Sequence, residues 1–279
     1  MNQATTRTLV VHSGGIGDFL LMCPAMVQLA AEGPVEILGR PERAALAVVG
    51  GMAERAHDIE AVGFESVFSE PVEKFRRFLA PFDRAIVWMR DDHGAIATAF
   101  QNCRVPDVRV FTGVPPDDWS EHASRYYLDQ IGMKDVAPFR LDIAPGPVQR
   151  DVIIHPGSGS PKKNWPLANF QKLAQALETR GRKVTWCLGP AEEKLELPSG
   201  PDMLRCADLV ALARELAAAK TYVGNDGGIT HLAAAVGCAV TAIFGPTNPR
   251  VWAPRGRNVR IIHGAPSAIS LAGFLSTLQ

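Results

Sequence analysis

Short apolar runs rich in β-branched residues alternate along the chain with longer stretches in which apolar residues have helical spacing. This alternation is typical of a parallel sheet covered by helices on both faces. It predicts strands at residues 8–12, 35–38, 84–88, 108–111, 152–155, 184–188, 221–223 and 240–244. It predicts helices at residues 19–30, 72–79, 93–102, 121–131, 167–180, 209–219, 230–236 and 269–278. The predicted fold class is therefore α/β.

A stretch without periodicity near mid-chain predicts two domains. Residues 134–150 contain three prolines and a glycine, which favours a linker. The linker would separate an N-terminal domain, residues 1–140, from a C-terminal domain, residues 151–279, and the 279 residues are enough for two cores. Residues 267–279 would form a terminal helix, for which packing back onto the first domain is one option. Pro24 should kink or restart the first helix, because proline lacks the N–H that bonds one turn back.

Composition excludes several classes of function. The 29 basic and 29 acidic side chains cancel, so bulk charge gives no reason to expect nucleic-acid binding. No apolar run approaches the ~18 residues that span a bilayer, and no signal-peptide cleavage region is seen, so we expect a cytoplasmic protein. The five cysteines form no C-x-x-C pair, which predicts neither a disulfide framework nor a zinc site.

Each half begins with a hydrophobic strand that leads into a glycine-rich turn, V-V-H-S-G-G-I-G at residues 10–17 and I-I-H-P-G-S-G-S at 153–160. Ligands bind at the carboxyl ends of strands in open α/β sheets, so two such turns facing each other across a cleft would form a two-substrate site. Each turn alone could equally be a tight β–α connection. Leu20 and Lys162 replace the third glycine of the dinucleotide fingerprint, which disfavours an oxidoreductase, and no nucleoside-triphosphatase phosphate loop occurs.

Two stretches of the second half could hold the phosphates of a nucleotide. The segment S-G-S-P-K-K-N-W-P at residues 158–166 offers backbone donors, hydroxyls and two ammonium groups. Its lysines could instead be solvated, and Trp165 could be a packing residue. The segment G-N-D-G-G-I-T-H at residues 224–231 predicts a helix start with free N–H groups for an anion. Alternatively, Asp226 is a helix cap and His231 a core histidine.

These segments together resemble the lipopolysaccharide heptosyltransferase family. The resemblance rests on residues 13–18, 155–166, 188–193, 224–235 and 244–247, and it is dense only over residues 152–257. It implies a B-type glycosyltransferase fold of two facing Rossmann-like domains, an inverting mechanism, and neither a metal nor another cofactor. It further implies a nucleotide-sugar donor, with ADP-heptose as the first candidate. The acceptor would be a bacterial glycan of lipopolysaccharide type or lipid-linked, giving peripheral contact with the inner membrane surface.

The resemblance also implies roles for individual residues. Asp18 would be the catalytic base, Lys163 would neutralise the donor pyrophosphate, and Asp226 would contact hydroxyls of the donor sugar. Glu192, with Glu193 as the alternative, would contact the ribose. The full donor set is Ser158, Gly159, Ser160, Lys163, Glu192, Asp226, Gly227, Gly228, Ile229 and His231. The loop on the acceptor side comprises Ser13, Gly14, Gly15 and Gly17.

The chain departs from the family at two points. The family usually has Ser or Thr where this chain has Gly227, and the first half lacks an obvious cluster of lysine and arginine residues for a phosphorylated core. Two alternatives stay open: a glycosyltransferase with another nucleotide sugar and a different acceptor, and a catalytically silent protein that binds nucleotide sugars. The presence of Asp18 beside a complete donor cluster argues against the silent protein.

Overall fold

The computed structural model describes residues 5–133, 139–189, 192, 202–206 and 208–271. The chain divides into two compact units, Met1–Val136 and Ala137–Gln279. Each unit has a parallel sheet with helices in its chain crossovers. The predicted α/β class is confirmed. None of the helices in the described ranges is long and apolar enough to cross a membrane.

The first unit is built around a parallel sheet. Its strands are β1 (Thr8–His12), β2 (Val35–Gly39), β3 (Arg55–Asp58), β4 (Arg84–Trp88) and β5 (Asp107–Phe111). Its helices are α1 (Ile16–Glu32), α2 (Pro41–Val49), α3 (Glu73–Leu79), α4 (Ala95–Asn102) and α5 (Ala123–Gln130). The strand order is β3-β2-β1-β4-β5, so β1 lies in the middle. Every residue of β1 is buried, which fits its central position in the sheet and the apolar residues Leu9, Val10 and Val11.

The second unit repeats this plan. Its strands are β6 (Arg150–His155), β7 (Val184–Cys187), β8 (Asp202–Leu204), β9 (Ala219–Asn225), β10 (Ala239–Phe244) and β11 (Val259–His263). Its helices are α6 (Leu167–Thr179), α7 (Leu209–Ala217), α8 (Gly228–Ala235) and α9 (Pro249–Trp252). The strand order is β11-β10-β9-β6-β7-β8, so β6 and β9 are neighbours at the centre. His155 lies opposite Gly224, which brings the carboxyl ends of both strands to the same edge.

The pattern missed elements with weak apolar signals. The edge strands β3, β8 and β11 were not predicted, because they are short and largely exposed or half-buried. The helices α2 and α9 were not predicted either. Helix α1 is continuous from Ile16 to Glu32, so the predicted restart at Pro24 is wrong. Pro24 removes a single helical hydrogen bond, and the residues on either side of it are buried in the unit, where packing holds the helix together.

Part of the predicted linker packs within the second unit. Phe139, Leu141 and Ile143 are buried. The N–H of Leu141 donates to the Ala235 carbonyl at 2.7 Å, and the N–H of Gly146 donates to that of Arg214 at 2.8 Å. Residues 134–138 of the linker and 272–279 of the predicted terminal helix lie outside the described residues. Before that point, Ile269 and Leu271 pack against the core of the second unit.

A buried carboxylate on β2 of the first unit contacts both β3 and the residue that precedes β1. Glu36 on β2 pairs with Arg7, which precedes β1, and with His57 on β3. Burial raises the pKa of the Glu36 carboxyl, but the hydrogen bonds from His57 and Arg7 outweigh it and hold the pKa below its usual value. The ionised form of Glu36 therefore stabilises this end of the sheet.

Glu36→Gln should lower the free energy of unfolding of the first unit by about 1–3 kcal/mol at pH 7. Because the folded-state pKa is depressed, the difference from wild type should be complete above the usual glutamate pKa of ~4.3 and shrink as the pH falls further. Urea titrations at several pH values measure this. Glu73→Gln, in an exposed pair with Arg77, is the control and should change stability by ~0.5 kcal/mol or less. Equal effects of the two substitutions would contradict the assignment.

Candidate functional site

Two loops meet at the carboxyl edge of the second sheet. One follows β6 and runs through residues 156–166, and the other follows β9 and leads directly into α8. The loops touch, since a Cβ added to Gly227 would lie 3.4 Å from the Ser158 Cβ. The predicted donor residues of both loops are therefore brought together within one unit.

An ion pair joins the two loops. The Lys163 Nζ donates to Asp226 Oδ2 at 2.8 Å. Asp226 is buried, whereas 32% of the Lys163 side chain is exposed, so the lysine reaches the pair from the surface of the unit. Lys163 follows Pro161 and Lys162 in a short 3-10 turn, while the neighbouring Lys162 is exposed. The two residues predicted to contact pyrophosphate and sugar thus form one charged pair.

The Asn225 side chain fixes the same two loops through hydrogen bonds. Its Oδ1 accepts from the Trp165 N–H at 2.8 Å, and its Nδ2 donates to the Pro156 carbonyl at 2.7 Å. Asn225 is fully buried at the end of β9. We did not predict a role for this residue, although its place between a buried strand and Asp226 is a usable signal.

The remaining predicted donor residues have different surroundings. The Ser158 hydroxyl has one hydrogen to donate, and both the Ser160 carbonyl at 2.8 Å and the Asn164 Oδ1 at 2.6 Å are within its reach, so it shapes the loop. Gly159 is open, with no atom within 4 Å of the place where its Cβ would be. Gly228 and Ile229 begin α8, where the first N–H groups of a helix have no partner within that helix. Such a helix start is a favourable place for phosphate oxygens.

Glu192 lies beneath the first loop. Its Oε2 accepts from the Gly189 N–H at 2.8 Å and is 3.7 Å from His155 Nε2. A Cβ on Gly157 would overlap the Glu192 carboxylate, so this close approach requires glycine. His155 has the largest effect on the pKa of the Glu192 carboxyl and lowers it. The Gly189 N–H also lowers this pKa, whereas burial raises it. The alternative, Glu193, lies outside the described residues.

Two predicted residues lie in the core. Trp165 is buried, packs edge-on against Phe170 and donates from Nε1 to the Ile269 carbonyl at 3.0 Å. The packing alternative for Trp165 therefore describes its position. His231 is buried in α8, and its assignment to the donor site stays a prediction.

The glycine turn of the first unit connects β1 to α1. Asp18 lies in the first turn of α1, and its Oδ2 accepts from the Gly15 N–H at 3.0 Å. Asp18 is half-buried, and Ser13, Gly14 and Gly17 around it are also half-buried, whereas Gly15 is exposed. The carboxylate stabilises the turn in this position, and a further role as a base stays a prediction.

Buried and half-buried polar groups lie near Asp18. His12, the last residue of β1, is buried, and Arg43 lies in the first turn of α2. The buried Tyr127 hydroxyl donates to the Gly113 carbonyl at 2.6 Å, and burial, with a smaller effect of Asp18, raises its pKa. We did not predict from the sequence that His12 and Arg43 lie near Asp18. Within the described ranges, no three His, Cys, Asp or Glu side chains form a group that could hold a metal ion.

Comparison with known proteins connects this geometry to a family. Residues 123–268, more than half of the chain, match the family model described as glycosyltransferase family 9 (heptosyltransferase). The chain belongs to glycosyltransferase family 9. Most of the match lies in the second unit, which contains the paired loops.

The curated relatives are heptosyltransferases by name. The chain is 27% identical to lipopolysaccharide heptosyltransferase 1 of Pseudomonas aeruginosa over 167 residues, covering 54% of this chain and 47% of that protein. It spans about half or less of the length of the curated relatives it matches.

Solved structures of family 9 share the fold. A family 9 glycosyl transferase from Veillonella parvula matches with a TM-score of 0.75 at 17% identity, covering 94% of this chain and 87% of the other. The E. coli heptosyltransferase WaaC with ADP matches with a TM-score of 0.74 at 18% identity, covering 98% and 99%. The family 9 fold therefore extends over both units of the present chain.

Asn225→Asp should destabilise the second unit by at least ~2 kcal/mol, because it turns a buried donor into an anionic oxygen facing the Pro156 carbonyl. Urea denaturation followed by tryptophan fluorescence measures the loss. Asn258→Asp is the matched control, because the Asn258 side chain is exposed, and it should change stability by ~0.5 kcal/mol or less. Wild-type stability of the Asn225 variant would show that the amide does not hold the loops.

Proposed function

We propose that this family 9 protein is an inverting glycosyltransferase that transfers a sugar from a nucleotide-sugar donor to a bacterial glycan of lipopolysaccharide type. ADP-heptose is the first candidate for the donor. The observation that carries the proposal is the convergence of the Lys163 ammonium group, Asp226 and the start of α8 at one sheet edge. The names of the relatives, and the ADP in the WaaC structure, support the choice of donor and acceptor class.

The donor diphosphate would bind at the start of α8. Lys163 has three N–H donors and uses one on Asp226, which leaves others for phosphate oxygens. The helix start supplies backbone N–H groups and the positive end of its dipole. Because these groups neutralise the leaving diphosphate, we propose that the reaction needs no divalent metal.

The sugar and the nucleoside would be recognised by carboxylates. Asp226 is held by Lys163, and in this proposal it would accept hydrogen bonds from hydroxyls of the donor sugar. Glu192 is fixed by Gly189 and His155, and an ionised carboxylate accepts hydrogen bonds from both hydroxyls of a ribose. Both carboxylates are held by neighbours before the donor binds, which lowers the entropic cost of recognition.

The chemical step requires a base for the acceptor. Asp18 would take the proton of the acceptor hydroxyl as that oxygen attacks the anomeric carbon from the face opposite the diphosphate. The bond between the anomeric carbon and the phosphate oxygen breaks, and its electron pair leaves with the nucleoside diphosphate. The configuration at the anomeric carbon is inverted.

Lys163→Gln should weaken ADP binding roughly tenfold or more, because a charge-assisted contact to phosphate contributes about 1.5–3 kcal/mol. Calorimetric titration of the whole chain with ADP in EDTA measures the affinity. Lys162→Gln is the matched control, because it removes an equal charge from the adjacent, exposed position.

The Lys163→Gln/Asp226→Asn double variant also avoids leaving a buried carboxylate without its partner. It should bind ADP as weakly as the single Lys163 variant. Unchanged ADP affinity in both Lys163 variants would contradict the diphosphate assignment.

Asp18→Asn should lower turnover roughly 10²–10⁴-fold while ADP affinity and melting temperature stay near wild type. Asparagine can still accept the Gly15 N–H but cannot take a proton. Release of ADP from ADP-heptose, measured with a lipopolysaccharide-core acceptor in EDTA, reports the rate.

Asp208→Asn is the control for a capping carboxylate, since Asp208 Oδ1 accepts from the Ala211 N–H at 2.7 Å at the start of α7. This variant should transfer sugar at the wild-type rate. A near-normal rate for the Asp18 variant would reduce Asp18 to a helix cap. Tight ADP binding by a wild-type protein that transfers nothing would favour the silent binding protein.

A further inference from the structure

A chain of buried hydroxyl groups lies behind the loop that follows β9. The Thr230 hydroxyl, in the first turn of α8, donates to the backbone carbonyl of Asn225. The same Thr230 oxygen is 3.1 Å from the Tyr222 hydroxyl oxygen. Tyr222 and Thr230 are both buried. The two hydroxyls therefore connect the middle and the end of β9 to the start of the helix.

The direction of these hydrogen bonds follows from the number of hydrogens. A carbonyl oxygen only accepts, so the single hydroxyl hydrogen of Thr230 is used on Asn225. Tyr222 must then donate its own hydrogen to the Thr230 oxygen. Burial raises the pKa of the Tyr222 hydroxyl well above its usual value, so the phenol keeps this hydrogen at neutral pH.

Gly224 makes room for the Tyr222 ring beside β9. The two residues are two positions apart on the strand, so they lie on the same face of the sheet. A Cβ on Gly224 would be 2.5 Å from the Tyr222 hydroxyl oxygen and 2.8 Å from Tyr222 Cε1. The ring is fully buried, so it has no free space into which it could move. Glycine at position 224 therefore allows the Tyr222 hydroxyl to reach Thr230.

The Thr230 hydroxyl closes the turn that carries the proposed donor contacts. This turn, residues 226–229, begins directly after Asn225 and ends directly before Thr230. At its first residue, the Asp226 N–H donates to the Ile243 carbonyl on β10 at 2.8 Å. Two of its four residues are glycines, which restrict the backbone least. The shape of the turn therefore depends on its hydrogen bonds, and the Thr230 hydroxyl supplies one of them from the helix side.

We propose that Thr230, held by Tyr222, is a positioning residue of the donor site. Its hydroxyl fixes the turn, so that the Asp226 carboxylate and the first N–H groups of α8 are oriented before the donor binds. Because these groups are already ordered, less entropy is lost when the diphosphate binds. The inference rests on the proposed binding of the donor at the start of α8. Thr230 acts through the turn and needs no contact with the donor.

Thr230→Val keeps the shape of the side chain and removes the hydroxyl. It should weaken ADP binding about fivefold, which corresponds to the loss of one neutral hydrogen bond. Thr230→Ser keeps the hydroxyl and should bind ADP within about twofold of wild type. Calorimetric titration of the whole chain with ADP, at a temperature where every variant is folded, measures the affinities.

Thr185→Val is the matched control. Thr185 is a buried threonine of the same unit, and its hydroxyl donates to Asp202 Oδ2 at 2.7 Å on the neighbouring edge strand. The substitution removes the same chemical group from the unit, so it should lower stability as well. It should nevertheless leave ADP affinity within about twofold of wild type, because β7 carries none of the proposed diphosphate contacts.

Amide hydrogen exchange without ligand tests the turn itself. The N–H groups of Asp226 and His231 donate to the carbonyls of Ile243 and Gly227, so they report on the two ends of the turn. Both amides should exchange about fivefold faster in Thr230→Val than in wild type. Thr185→Val should accelerate them less, because its effect on the unit is not local to the turn.

The direction of the hydroxyl chain gives an independent test. Thr230→Val leaves the buried Tyr222 hydroxyl without its acceptor, and addition of Tyr222→Phe removes that unsatisfied donor. The double variant should therefore unfold at a higher urea concentration than Thr230→Val, yet bind ADP as weakly. A lower urea midpoint for the double variant would show that Tyr222 does not donate to Thr230.

The outcomes separate this proposal from the proposed function. Wild-type ADP affinity in Thr230→Val, or equal losses in Thr230→Val and Thr230→Ser, would overturn the positioning role alone. Failure of the wild type to bind ADP would defeat the donor assignment. In that case the exchange of the Asp226 and His231 amides, measured without ligand, still decides whether Thr230 orders the turn.

Discussion

The paired loops of the second unit, which form the proposed donor site, are joined by one buried amide. Asn225 accepts from one loop residue and donates to another, although 60 and 69 residues separate it from them along the chain. Asn225 has no exposed surface, so water could replace these hydrogen bonds only if the two loops separated. The same two loops carry Lys163 and Asp226, so the Asn225 bonds and the ion pair join the same elements. The charged pair of this unit therefore lies between loops that neutral hydrogen bonds hold together.

The second constraint is the close approach of a side chain to the glycine that follows each central strand. The result differs between the two units. Both central strands end in histidine before a glycine turn. In the second unit His155 faces Glu192, and Gly157 makes room for that carboxylate. In the first unit Gly14 makes room for His12, which has a neighbouring cation and no partner in the described residues. The same local sequence thus supports a completed pair in one unit and an imidazole without a described partner in the other.

The sequence revealed the central elements and the loops because both depend on local patterns. Continuous apolar runs mark β1 and β6, and glycines mark the turns after them. The Lys163–Asp226 pair was not predictable, since it requires knowing that β6 and β9 are adjacent. That His12 and Arg43 lie near Asp18 was not predicted for the same reason. Edge strands such as β3 were not predicted because their sequences are polar. Helix α1 continues through Pro24 because tertiary packing outweighs one lost hydrogen bond.

The family model and the solved structures match different shares of the chain. The family match begins at residue 123, whereas the fold of WaaC covers 98% of the chain at 18% identity. A fold can persist at such identity because it needs only the apolar pattern and turn geometry. The first unit is thus free to differ in its polar residues. Arg40 and Arg43 follow β2 at the same sheet edge as Asp18, so polar residues can change at this edge without disturbing the buried strands of the unit.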